Sequence, residues 1–141
     1  MSKQPVAILE EALPNDLAAI GAFAERVEAF CAAEGVAPAI VYQLNLAIDE
    51  LATNVISYGW DDAGPHQLQI KLCLAPGRLT VLIEDDGRAF NPLDRPPPDL
   101  DAAIEARAIG GLGIHFVRQF ATDFTYERVA GRNRLTIGKR L

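Results

Sequence analysis

Ala47-Ile48-Asp49-Glu50-Leu51-Ala52-Thr53-Asn54-Val55-Ile56-Ser57-Tyr58-Gly59 carries a helical pattern with acid and amide side chains at awkward places. At about 100° per residue, Leu44, Ala47, Ile48, Leu51, Val55 and Tyr58 fall on one stripe, predicted to face a core. Asp49 and Thr53 fall on the far side, where solvent holds them. Glu50 and Asn54 belong to neither side. Being four apart, they stack on one line of the helix, and that line borders the apolar stripe. A carboxylate and an amide at the edge of a core are costly unless something polar meets them.

The surrounding chain has 141 residues, which suits one domain with a sizeable core. Half of it is hydrophobic (50%) and 23% is charged, a globular composition rather than a disordered one. A formal net charge of −6 argues against a broad grip on nucleic acid or an anionic membrane. It leaves room for a local basic pocket that holds a phosphate. Cys31 and Cys73 have no cysteine or histidine at ligand spacing, and two reduced thiols are expected, with a disulfide left open. No basic start leads into an apolar run, and no apolar run reaches the length of a spanning helix, so a cytoplasmic protein is expected.

In chain order, Val6 to Leu9 reads as a short strand. Pro14-Asn15-Asp16 supplies turn and cap chemistry for a helix with apolar positions from Leu17 to Phe30. Gly35 ends that helix, and Pro38 suits the first turn of the next, which closes near Gly59. Leu68, Ile70, Leu72 and Leu74 alternate with polar neighbours, a strand with one wet face. A turn at Ala75-Pro76-Gly77 returns it as a strand from Arg78 to Glu84. After Asp85-Asp86-Gly87 no strand follows directly. Instead comes a long connection, with four prolines between Pro92 and Asp101 and a weakly helical Ala102 to Ala108, of the kind that often forms a functional lid. A helix from Ile114 to Phe120 follows, then a hairpin of Phe124–Val129 and Arg134–Ile137 around Gly131. The expected fold is α+β, a two-layer sandwich in which three helices cover one face of a mixed, mostly antiparallel sheet. One domain is expected over 1–141, with a lid at about 88–110.

Three features carry chemistry. Gly110-Gly111-Leu112-Gly113 ahead of a helix offers free backbone N–H groups that suit phosphate oxygens, or else is a plain loop end. It is neither the dinucleotide fingerprint nor a P-loop. In Asp85-Asp86-Gly87-Arg88-Ala89-Phe90, an acid at a strand end precedes a glycine that lets a ligand approach. Such an acid accepts a hydrogen bond from an exocyclic amine, and a bare turn is the alternative. Glu50 can orient or deprotonate a nucleophile, and the Asn54 amide oxygen suits Mg2+; otherwise both cap neighbouring loops.

Taken together, Glu-x-x-x-Asn on a helix, Asp-x-Gly-x-Ala at a strand end, a long loop and Gly-Gly-Leu-Gly before a helix resemble the Bergerat-fold ATPases, along essentially the whole chain. That superfamily takes in gyrase-type topoisomerases, heat-shock chaperones, histidine kinases and mismatch-repair ATPases. Gly-Gly-Leu-Gly-Ile-His-Phe-Val, then Tyr126-Glu127-Arg128 and Asn133-Arg134-Leu135-Thr136, look most like the small bacterial anti-sigma-factor serine kinases. The resemblance implies Glu50 as general base, Asn54 as ligand of Mg2+, and Asp85 rather than Asp86 as acceptor of the adenine amine. It implies further that Gly87, Ala89, Gly110, Gly111, Leu112 and Gly113 line the ATP site, that Arg107 reaches its phosphates from the lid, and that Thr136 lies near the adenine. Arg107 as a solvated side chain and Thr136 on a wet strand face are the alternatives. The implied activity is ATP-dependent phosphorylation of a serine on an anti-anti-sigma partner, with sequestration of a sigma factor by a homodimer. A nucleotide-gated regulator-binding module with little or no transfer is the second reading. A histidine kinase fits less well, because neither His66 in a loop nor His115 at a helix edge lies on a dimerisation-type helix. His66 is expected to be solvated.

Overall fold

Asp16 stops the first strand and starts the first helix, its carboxylate accepting from the N–H of Ala18 at 3.0 Å. The computed structural model, which describes residues 7–62, 64–94 and 111–141, builds outward from such local signals. Strand β1 (Ala7–Pro14) leads to helices α1 (Leu17–Ala33) and α2 (Pro38–Tyr58). The hairpin β2 (Gln67–Ala75) and β3 (Arg78–Asp85) follows, then a 3-10 turn at Pro92–Asp94, helix α3 (Gly111–Phe120) and the hairpin β4 (Asp123–Val129) and β5 (Arg132–Arg140). Pro38 stands in the first turn of α2, where its missing N–H costs nothing. Between β4 and β5, Ala130 and Gly131 both take positive φ, at 51° and 75°. Paired positive φ matches the right-handed twist of a tight hairpin.

The sheet order is β1-β2-β3-β5-β4, and every hydrogen-bonded pair is antiparallel. The mixed component expected from sequence is absent among the described strands. β4 does run in the same direction as β3, but β5 is inserted between them, so the two never pair.

One face of the sheet is apolar and carries the three helices. Leu68, Ile70, Leu72, Leu79, Val81 and Ile83 meet Phe23 and Val27 of α1, Leu44, Ile48 and Leu51 of α2, and Val117 of α3, all buried. The other face holds Gln69, Lys71, Leu82, Glu84 and Arg134. Cys31 lies in the helix layer and Cys73 on the opposite face, which the described helices leave uncovered, and both thiols are free. Burial of Cys31 pushes its thiol pKa up. No helix among the described residues is long and apolar enough to cross a membrane.

Three local expectations change. Strand β1 runs on to Pro14, paired with β2 throughout from Ala7↔Leu74 to Pro14↔Gln67, although Glu10 and Glu11 interrupt the apolar run. The inward-facing Glu11 lies on an edge strand, where an ion pair with Arg26 of α1 satisfies it. Helix α3 begins at Gly111, so Gly111 and Gly113 belong to its first turn and not to a preceding loop. Tyr58, expected on the core stripe, is 43% exposed because it occupies the last turn of α2, whereas Leu44, Ala47, Ile48, Leu51 and Val55 are buried. Val6, the start expected for the first strand, and most of the lid lie outside the described residues.

Candidate nucleotide site

The alternation of β3 that buries Leu79, Val81 and Ile83 continues one step too far and turns Asp85 inward, to 3% exposure. A carboxylate there must be hydrogen-bonded. Its Oδ1 accepts from Gly87 N at 2.9 Å and from Asn133 Nδ2 at 3.0 Å. Among the described residues no hydrogen bond falls on Oδ2, which leaves one acceptor at the wall of a pocket. Asn133 and Leu135 of β5 extend that wall, and Leu51, Asn54, Val55 and Tyr58 of α2 form its side. Arg88, Phe90 and Pro92 close the front. Asp86 is exposed and accepts from Trp60 Nε1 at 3.1 Å, so one step of the strand period separates the two acids.

The loop after β3 is fastened from both sides. Arg88 N donates to Gly59 O at 2.8 Å, and Arg88 pairs with Asp61. From the far side, Arg128 Nη1 donates to Gly87 O at 2.8 Å. A Cβ at Gly87 would come within 2.5 Å of Gly59 O, so only glycine lets the two backbones approach this closely. Trp60 in turn stacks on His66, with centroids 4.6 Å apart, and His66 Nε2 lies 2.7 Å from Asp62 Oδ1. His66 is therefore half-buried and engaged, contrary to the solvated loop position expected for it.

Beside this pocket, Asn54 is buried and donates from Nδ2 to Glu50 Oε1 at 3.3 Å. Because the carboxylate can only accept, the amide orientation is forced and Oδ1 points away. Among the described residues that oxygen receives no hydrogen bond. Glu50 also lies against the first turn of α3, where a Cβ on Gly113 would run into its carboxylate. Helix N–H groups in a first turn lack intrahelical acceptors and favour anionic groups. A carboxylate, an open amide oxygen and a helix N-terminus thus converge next to the Asp85 pocket. The two side-chain oxygens, only one of them from a charged group, fit Mg2+, which keeps waters and borrows phosphate oxygens, and the helix N–H groups suit the phosphates themselves.

Of the residues singled out from sequence, Glu50, Asn54, Asp85, Gly87 and Gly113 come together here. Thr136 does not. Leu135 and Ile137 face the core, so the period of two turns Thr136 to the uncovered face, opposite Leu82 and Thr125. The neighbour of Asp85 is instead Asn133, its cross-strand partner. Sequence reasoning misses Asn133, yet the same alternation with Leu135 and Ile137 marks it as an inward-facing amide. Ala89 is exposed and does not line the pocket, although Arg88 and Phe90 on either side of it do. Arg107 and Gly110 lie outside the described residues, as do the side chain of Leu112 and the connection at 95–110.

Residues 13–139 match the family model of the histidine kinase-like ATPase domain. Over 96 residues, 68% of this chain and 68% of the relative, the sequence is 27% identical to the serine/threonine-protein kinase BtrW of Bordetella bronchiseptica. The fold matches the crystal structure of the RsbU and RsbW domains of a Mycobacterium tuberculosis protein with a TM-score of 0.70 at 16% identity. That match covers 97% of this chain but 33% of the other, so the chain spans about a third of it. The crystal structure of the SiaB–SiaC complex from Pseudomonas aeruginosa matches with a TM-score of 0.59 at 15% identity, covering 94% of this chain and 89% of that one.

Proposed function

Because the chain belongs to the histidine kinase-like ATPase domain family, we propose that it binds Mg-ATP and transfers the γ-phosphoryl group to a serine of a partner protein. The observation that carries this reading is the convergence of Glu50, Asn54 and Gly113 beside the open Asp85 oxygen. Asp85 Oδ2 accepts from the adenine amine, and Gly87 keeps that wall thin. Asn54 Oδ1 is the protein oxygen for Mg2+. The first turn of α3, with Gly111 and Gly113, faces the phosphates, and Arg107 in the lid is assigned to the same phosphates. Bound Mg2+ supplies charge neutralisation between the phosphate oxygens.

In the reaction the serine Oγ forms a bond to the γ-phosphorus while the bond to the bridging oxygen breaks and ADP leaves. Glu50 takes the hydroxyl proton. The pocket has room for about one water molecule, so entry of the adenine requires the exposed lining side chains of Tyr58 and Arg88 to swing aside.

The similarity to a relative named as a serine/threonine-protein kinase supports a protein substrate. Likeness of fold to the RsbW domain and to SiaB, solved in complex with SiaC, agrees with a small antagonist of the anti-anti-sigma kind as that substrate. Sequestration of a sigma factor by a homodimer completes the proposal.

The test is ATP binding with and without Mg2+, together with transfer to the antagonist, for wild type, Asp85→Asn and Glu50→Ala. The amide introduced by Asp85→Asn keeps an acceptor for Gly87 N and Asn133 but turns an N–H toward the adenine amine, so binding falls by about tenfold or more. Glu50→Ala keeps binding and loses about 10²–10⁴-fold in transfer. Wild type that binds no ATP at millimolar nucleotide overturns the proposal.

A further inference from the structure

Asn133 lines the pocket yet has nothing left to offer a ligand. Its two amide hydrogens go to Asp85 Oδ1 at 3.0 Å and Arg88 O at 2.8 Å. Its oxygen accepts from Phe90 N at 3.3 Å and from the Tyr126 hydroxyl at 2.5 Å. Four bonds exhaust the capacity of a primary amide. The orientation is forced as well, since Asp85 and the Arg88 carbonyl only accept and the Phe90 N–H only donates. A flipped amide would lose three partners at once, in a position 3% exposed.

We propose that Asn133, braced by Tyr126, is the positioning residue that sets base selectivity at this site, an inference that rests on the ATP reading above. By holding Oδ1 of Asp85 together with Gly87 N, it fixes the carboxylate plane and leaves Oδ2 as the one acceptor that the carboxylate offers to the pocket. A purine with an exocyclic amine donates to that oxygen. A purine with a carbonyl at the same position sets two acceptors against each other. The same amide ties the backbone of Arg88 and Phe90 to β5, so the acceptor and the front wall form one unit. A free Asp85 carboxylate rotates and accepts from the exocyclic amine of one purine or from the ring N1–H of the other, and selectivity is lost.

The experiment measures affinity for Mg-ATP and Mg-ITP in wild type, Asn133→Ala and Tyr126→Phe. Wild type prefers ATP by about tenfold or more, the scale of a hydrogen bond to a charged group. Asn133→Ala brings the ratio toward unity, weakening ATP while ITP stays within about twofold. Tyr126→Phe keeps the shape and narrows the ratio partway. Equal weakening of both nucleotides in Asn133→Ala, with the ratio preserved, overturns the inference and marks the residue as merely structural. If Asn133→Ala does not fold, Tyr126→Phe decides, and an unchanged ratio overturns it. Wild type that binds neither nucleotide overturns the ATP reading along with it, whereas preference for ATP kept in the variants overturns this inference alone.

Discussion

Gly113 in the first turn of α3 packs against Glu50 of α2 so closely that a Cβ on the glycine would occupy the space of the Glu50 carboxylate. The missing side chain is what allows the helix N-terminus to approach the proposed base.

Gly113→Ala therefore separates stability from activity. Alanine is the better helix residue, and the group it displaces is the end of a flexible side chain, so the melting temperature is unchanged or slightly raised. The carboxylate must move, and a displacement of that size costs about 10²-fold in transfer. Melting curves and transfer rates on the same preparation check this. An unchanged rate would mean that Glu50 does not act from this position.

Gly87→Ala has the opposite signature. Its Cβ would meet the Gly59 carbonyl at 2.5 Å and Asp85 Oδ1 at 3.0 Å, and the first of these is backbone that cannot swing aside. The loops must part, at a cost of about 1–3 kcal/mol, and ATP binding falls with stability. Denaturant unfolding and nucleotide titration should show both losses together.

Cys31 and Cys73 should differ in reactivity. Cys31 is fully buried with its pKa raised by that burial, while Cys73 is half-buried on the uncovered sheet face. In the folded protein a thiol reagent at pH 8 labels Cys73 first and spares Cys31. Because the folded pKa of Cys31 lies above its unfolded value of about 8.5, its contribution to stability is complete below that pH and is lost as pH rises toward the folded value. Cys31→Ala should flatten this alkaline decline in an unfolding series, whatever its effect at neutral pH.

Asp62 predicts a small effect at the acid end. Its hydrogen bond with His66, and then the N–H of Gly64, hold its carboxyl below the ordinary range. The folded value is the lower one, so the stabilisation is present above about pH 3.9 and disappears as pH falls through the folded value. Asp62→Asn should reduce the slope of the acid limb. The sole tryptophan, Trp60, stacks on His66 and gives a local emission signal for following the cluster.

Much of the site is legible from short-range periodicity. The 3.6-residue period puts Glu50 and Asn54 on one line beside the core stripe of α2, and the Asp85 acceptor follows from the alternation of β3. Motif matching that ignores the period goes astray on β5. It leaves Thr136 open between the adenine and a wet strand face, although the buried Leu135 beside it already turns it outward, and it gives no role to Asn133, which shares a face with Leu135 and Ile137.

What the sequence determines by itself is the set of faces, because side-chain direction along a helix or strand is fixed by local backbone geometry. Only the tertiary structure decides which faces meet. Asp85 and Asn133 are 48 residues apart and become partners because β5 is inserted between β3 and β4. Gly113 reaches Glu50 because α3 packs against α2. Tyr58 has the angle of a core residue and is still exposed, for it stands in the last turn of its helix. Such pairings depend on how the whole chain closes over one core, and no local repeat encodes that.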